Sequence, residues 1–182
     1  MSERIVLKNV RLSYPHLFRP ESFDGQDPKY SCVLIITKDD AQVEKIKEAI
    51  YKAGAEKFGN KVKPGSWPSN LHWPLKDGDD KADTNPEYEG CFFISPTSKS
   101  PVVLLDRAKR KLTEEDDKLY PGCYVNASLT VAAFDAAMKK GVSVYLNGIQ
   151  FFGDGDRLAG HDATGDFDQL DEDEDGFENY DI

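Results

Sequence analysis

The stretch YVNASLTVAAFDAAMKKGVSVYLNGIQFF, residues 124–152, decides the fold. Val125, Ala127, Leu129, Val131 and Ala133 share one parity, while Tyr124, Asn126, Ser128 and Thr130 share the other. Successive side chains of a strand point to opposite faces, so the alternation predicts a strand over Tyr124–Phe134 with one apolar side. Val142, Val144 and Leu146 against Ser143, Tyr145 and Asn147 predict its partner over Gly141–Phe152, reached through a hairpin-like link at 134–141. Each strand has a side for a core and a side mixing tyrosine with small polar residues.

Toward the N-terminus, Ile5–Tyr14 is strand-like, but Ile5 and Leu7 have one parity and Val10 and Leu12 the other. Such a slip implies a bulge near Lys8-Asn9, and strongly bent first strands suit small closed barrels. KYSCVLIIT, residues 29–37, is apolar on both parities and predicts a strand covered on both faces. A helix is expected from about Asp39 to Phe58: Val43, Ile46, Ile50 and Ala53 form one stripe, and Gly59-Asn60 stops it. Thr37 and Asp40 have capping-box spacing, and Glu48–Lys52 is a favourable i, i+4 pair. Residues 60–90 read as a long connection with Pro64, Pro68, Pro74 and Pro86; short strands follow at 91–95 and 101–106, and Thr113 can cap a helical turn. One helix and about five strands make a mainly β protein whose compact solution is a small antiparallel barrel.

The formal charge of −10 is unevenly placed. Ten of the 33 acidic residues, and no Lys or Arg, stand in 162–182, which leaves 23 acids against 23 bases in 1–161. A balanced domain over 1–161 is expected, with an acidic C-terminal tail at 162–182 too poor in apolar residues to order itself. No apolar run is long enough to span a bilayer, and MSERIVLKNV lacks the pattern of a signal peptide, so a cytosolic address is expected. Cys32, Cys91 and Cys123 read as reduced core residues; no CxxC accompanies His16, His72 and His161, so neither metal nor cofactor is expected.

Catalytic patterns fail: there is no GxxxxGK[ST], no GxSxG, and the glycines of 153–160 miss the dinucleotide spacing. Asp171, Asp173, Asp175 and Gly176 open like a calcium loop, but its twelfth position is Ile182 instead of Glu, which favours a solvated acidic run. A sheet face of aromatics, Ser, Asn and Thr suits single-stranded nucleic acid, because every base has a face to stack, worth ~1–3 kcal/mol. The stacking candidates are Tyr14, Phe18, Tyr30, Trp67, Trp73, Tyr124 and Tyr145. Tyr124 and Tyr145 oppose the core parity and favour contact; Phe18 and Tyr30 are better explained as caps on the barrel, and Trp67 and Trp73 equally as a cover for its end. The phosphate candidates are Arg11, Lys76, Arg107, Lys109, Arg110, Lys111, Lys139 and Lys140. A neutral body holds phosphate if its bases gather on one face. A flexible polyanion can occupy such a groove until DNA displaces it. Asp171, Glu172, Asp173, Glu174 and Asp175, with Phe177 and Tyr180, are the tail residues expected to do so and to meet partner proteins.

RLSYPHLFRP (11–20), KYSCVLII (29–36), LKDGDDK (75–81), YPGCYVNASL (120–129) and VYLNGIQFFGDGDRLAG (144–160) agree in order and spacing with one family. Over residues 4–161 the chain resembles the tailed-bacteriophage single-stranded DNA-binding proteins long catalogued as a domain of unknown function. The resemblance implies an oligonucleotide/oligosaccharide-binding (OB) barrel and sequence-tolerant binding of single strands in phage DNA replication, recombination or repair. It also implies a place in the cytoplasm of the infected host, and a tail that recruits replication or recombination proteins. Better-known tails of this kind end in an aromatic; this chain ends Tyr180-Asp181-Ile182, and its long helix follows the second strand. Homo-oligomerisation stays open. Two other readings compete: an interaction adaptor or DNA mimic that never touches DNA, and a Mg²⁺-dependent nuclease using Asp77, Asp79 and Asp80.

Overall fold

The computed structural model describes residues 2–22, 25–63 and 65–158; the expected tail at 162–182 lies outside the described residues. The strands are β1 (Ser2–Glu21), β2 (Lys29–Thr37), β3 (Lys76–Asp77), β4 (Cys91–Ile94), β5 (Thr97–Ser98), β6 (Val103–Leu105), β7 (Tyr124–Asp135) and β8 (Lys140–Gly153), with one helix, α1 (Gln42–Phe58), between β2 and β3. Five of them close a ring: β1 pairs with β7, β7 with β8, β8 with β5, β5 with β2, and β2 again with β1. The long first strand makes closure possible. Its residues up to Arg11 pair with β7, and those from Arg11 onward pair with β2. The result is an OB-like barrel, with β6 added beside β8, and with β4 and β3 extending from β2.

The phase slip of β1 is a bulge between Leu7 and Val10, with Asn9 at φ 54°. An extra residue leaves backbone groups without ladder partners. Here Lys8 N–H donates to Gln42 Oε1 at 2.7 Å, Gln42 Nε2 donates back to Lys8 O at 2.8 Å, and Asn9 N–H donates to Asn126 Oδ1 at 3.0 Å. The bulge therefore also moors the start of α1 and a residue of β7.

Val125, Ala127, Leu129 and Val131 are fully buried together with Val142, Leu34, Leu7 and Leu12. Val43, Ile46, Ala49, Ile50 and Ala53 of α1 seal the same core. The helix begins later than its sequence suggests. Ala41 is its N-cap, without a side-chain cap bond, and Asp40 Oδ1 accepts from Gln42 N–H in place of a Thr37 cap. Lys52 reaches Glu3 at 3.3 Å on β1 rather than forming the expected i, i+4 pair, because the strand lies within its reach. Trp67 and Trp73 pack edge to face at 5.0 Å, each also against Tyr51 of α1. Gly54 admits them: a Cβ there would stand 2.8 Å from the Trp67 ring.

The second face of β2 is covered as its sequence requires. Ile35, Tyr88, Cys91 and Phe93 form a separate cluster, with Tyr14, Val33 and Leu158 against it. The loop that brings Tyr88 there is pinned by Lys38, whose ammonium meets Asp77 at 2.8 Å and Asp79 at 2.6 Å. Hydrogen bonds from Lys38 hold both carboxyls below the usual carboxylate range. All three cysteines are free and buried, and burial pushes the Cys123 thiol up to about 11.

Candidate nucleic-acid interface

Strand register carries outward-facing residues into one belt. Arg4 stands opposite Thr130, Thr130 opposite Tyr145, Tyr145 opposite Thr97, Thr97 opposite Ser31, and Ser31 opposite His16. Directly opposed residues on one face lie within about 5.5 Å at Cβ, so the belt is a continuous surface. Tyr145 is its exposed aromatic, 40% accessible. Next to it Asn147 Nδ2 donates to Thr130 Oγ1 at 2.9 Å, which fixes a polar floor.

Two depressions adjoin the belt, one through His16, Ser31 and Thr97 and the other through Arg4. One, of about 350 Å³, is lined by Tyr14, His16, Lys29, Ser31, Val33 and Thr97, with the carboxylates Glu21 and Asp27 among its walls. The other, of about 270 Å³, crosses the outer face of β7 and β8. Asn126, Ser128, Asn147 and Gln150 make its floor, Arg4 and Val6 one wall, Val103 and Leu105 the other, and no carboxylate lines it.

The expected stacking residues separate into groups. Tyr145 is open. Tyr124 shares its face but is half-buried: the Arg11 guanidinium lies 5.8 Å over its ring, and a Cβ on Gly155 would meet that ring at 2.8 Å. Tyr14, at φ 43°, donates to Asn85 Oδ1 at 3.1 Å and packs on the second cluster. Phe18 packs on the barrel core, and Tyr30 is half-buried opposite Ser98. Trp67 donates to Leu71 O at 2.8 Å and stays with Trp73 in the aromatic group against α1.

The expected cations also divide. Arg107, Lys109, Arg110 and Lys111 follow β6 and are exposed at the Gln150 end of β8. Arg107 donates to Phe152 O and lies 5.3 Å over the Phe152 ring; Arg110 pairs with Asp106 at 3.0 Å, and Lys109 takes the left-handed turn position at φ 67°. Lys76 and Lys139 act on His72, whose basicity is lowered by its burial and by these two ammonium groups. Lys140 meets Asp135 at 3.6 Å, and its carbonyl accepts from His72 N–H at 2.8 Å. Arg11 is a clamp: its Nε donates to Gly122 O at 3.2 Å and its Nη2 to Asp156 O at 2.7 Å. Tyr120 OH adds a bond to Asp154 at 2.8 Å, and Leu158 N–H donates to Pro121 O at 2.9 Å. These contacts lay residues 154–158 on the barrel. Arg11→Ala is expected to raise amide hydrogen exchange at Leu158 while changing nucleic-acid affinity less than twofold; the reverse pattern contradicts the clamp.

Two of the three carboxylates that the nuclease reading uses are otherwise engaged: Asp77 and Asp79 share Lys38 and cap the turn at Asp79 and Gly90. Among the described residues, no three His, Cys, Asp or Glu are grouped to hold a metal.

A family model described as Enterobacter phage Enc34, ssDNA-binding protein, matches residues 3–177. The chain belongs to this family. Protein p50 of Acyrthosiphon pisum secondary endosymbiont phage 1 is 39% identical to this chain over 163 residues, 86% of this chain and 87% of that one. The single-stranded DNA-binding protein from bacteriophage Enc34, solved in complex with ssDNA, is similar at 29% identity with a TM-score of 0.73, over 85% of this chain and 88% of that one. The single-stranded DNA-binding protein gp2.5 of bacteriophage T7 shares the fold at 15% identity, with a TM-score of 0.61 over 95% and 97% of the two chains. The family model and the solved Enc34 and T7 proteins are all described as single-stranded DNA-binding proteins.

Reading the sequence of this Enc34-family member alone misses Arg4, Thr97 and Phe152. Phe152 had a signal: in the pair Phe151-Phe152 only one ring can enter the core, and Phe151 does, leaving Phe152 37% accessible. Arg4 and Thr97 had none, because register across non-adjacent strands places them.

Proposed function

We propose that this protein coats single-stranded DNA during bacteriophage DNA replication, recombination or repair, in the cytoplasm of the infected host. Bases stack on the outer face of β7 and β8 and cations around it hold phosphates, with no reading of sequence. The observation that carries this reading is the exposed Tyr145 in a belt of Thr, Ser, His and Arg side chains, in a chain of the Enc34 family. We assign Tyr14, Phe18, Tyr124, Trp67 and Trp73 to packing and Tyr145 to contact. The tail at 162–182, with ten carboxylates and no base, competes with DNA as a polyanion and is offered to replication or recombination proteins.

A gel-shift titration of labelled oligo-dT in Mg²⁺ tests this. We expect a shift without cleavage, and an affinity falling with salt at a log–log slope of about −0.7 per phosphate neutralised. Removal of Asp162–Ile182 is expected to tighten binding at low salt. Cleavage would support the nuclease, and no shift the adaptor.

A further inference from the structure

We propose that the bound strand runs from Tyr145 along β8, through the groove without carboxylates, to a second stacking platform made by Phe152 and Arg107. This rests on the single-strand-binding reading and adds the path. Past Asn147 a register irregularity against β7 resets the alternation, so that Ile149 and Phe151 are buried while Gln150 and Phe152 carry the outward face onward. Phe152 is therefore presented on the same side as Tyr145. With Arg107 over its ring and bonded to its carbonyl, it joins an aromatic surface to a fixed cation. That pairing suits a base and its phosphate.

The floor between the platforms is polar, and its side chains are fixed by one another and by the backbone. Asn126 Nδ2 donates to Gln150 Oε1 at 3.1 Å, and Gln150 Nε2 lies 3.4 Å from both Asp106 O and Arg107 O. The side-chain amides are thus held in place, between the apolar walls of Val6 and Val103. The alternative route is less suited to an anion. OB barrels commonly bind on the face of their second and third strands, but here Tyr88 and Leu158 pack against Ile35 of β2 and against Cys91 and Phe93 of β4 beside it. The neighbouring depression also carries Glu21 and Asp27. Seven residues of strand separate the platforms by about 23 Å, a span that a short oligonucleotide does not bridge.

The test compares oligo-dT of graded length, from about 4 to 16 nucleotides, against the full chain and its variants. Phe152→Ala is expected to lower affinity for the longest oligonucleotides about 5- to 150-fold, to leave the shortest unaffected, and to be rescued by Phe152→Tyr. Tyr145→Ala is expected to weaken every length. The path is overturned if Phe152→Ala binds all lengths like the parent while Tyr145→Ala does not. It is also overturned if Phe152→Ala changes only the oligomeric state in sedimentation, which makes the groove a contact between copies. A parent chain that shifts no oligonucleotide overturns the underlying reading as well.

Discussion

Replacing Tyr145 by alanine is expected to lower affinity for oligo-dT about 5- to 150-fold, the equivalent of one stacked base at ~1–3 kcal/mol. The size follows from its position. Its neighbours across the ladder, Thr130 and Thr97, are small and cannot replace a ring, and its side chain supports no core residue because its parity opposes Val144 and Leu146. Thermal stability is expected to change little, as surface substitutions away from special features stay within about 0.5 kcal/mol. Fluorescence titration and a melting curve on one preparation separate the two effects. Unchanged affinity with an intact melt would remove Tyr145 from the interface.

The second large effect is on stability. Gly122→Ala is expected to cost about 2–5 kcal/mol, combining strain at a left-handed backbone position with overpacking. Gly122 sits at φ +108°, and a Cβ there would stand 2.0 Å from Asp156 O and 3.0 Å from Leu158 N. Relief by movement on the other side is blocked, because Gly122 N–H donates to Leu12 O at 2.8 Å and Cys123 beside it is fully buried. The segment 154–158, held by Arg11 and Tyr120, must lift. Denaturant unfolding measures the loss; a parental midpoint would mean that this segment is not fixed as described.

The fold was legible where one residue's environment is set by its immediate neighbours. Alternation over Tyr124–Phe152, the slip at Lys8-Asn9 and the two-faced KYSCVLIIT each report burial along a single element, and each corresponds to what the chain does there. The helix start was misread because Thr37 and Asp40 have the right spacing, while the chain uses Asp40 in a turn and spends Gln42 on the β1 bulge. The site was legible only in part. Parity picked out both Tyr124 and Tyr145 but could not tell that Arg11 and Gly155, distant in sequence, cover one of them. Charge density found Arg107 without its partner Phe152, since a cation–ring contact depends on β6 lying parallel to β8.

The most direct measurement is photocrosslinking of the full chain to oligonucleotides carrying 5-iodo-deoxyuridine, with the adducts located by peptide mass spectrometry. Adducts on Tyr145, and on Phe152 with the longer oligonucleotides, are the predicted result. Adducts confined to Trp67 and Trp73, with none within residues 141–153, would contradict the account.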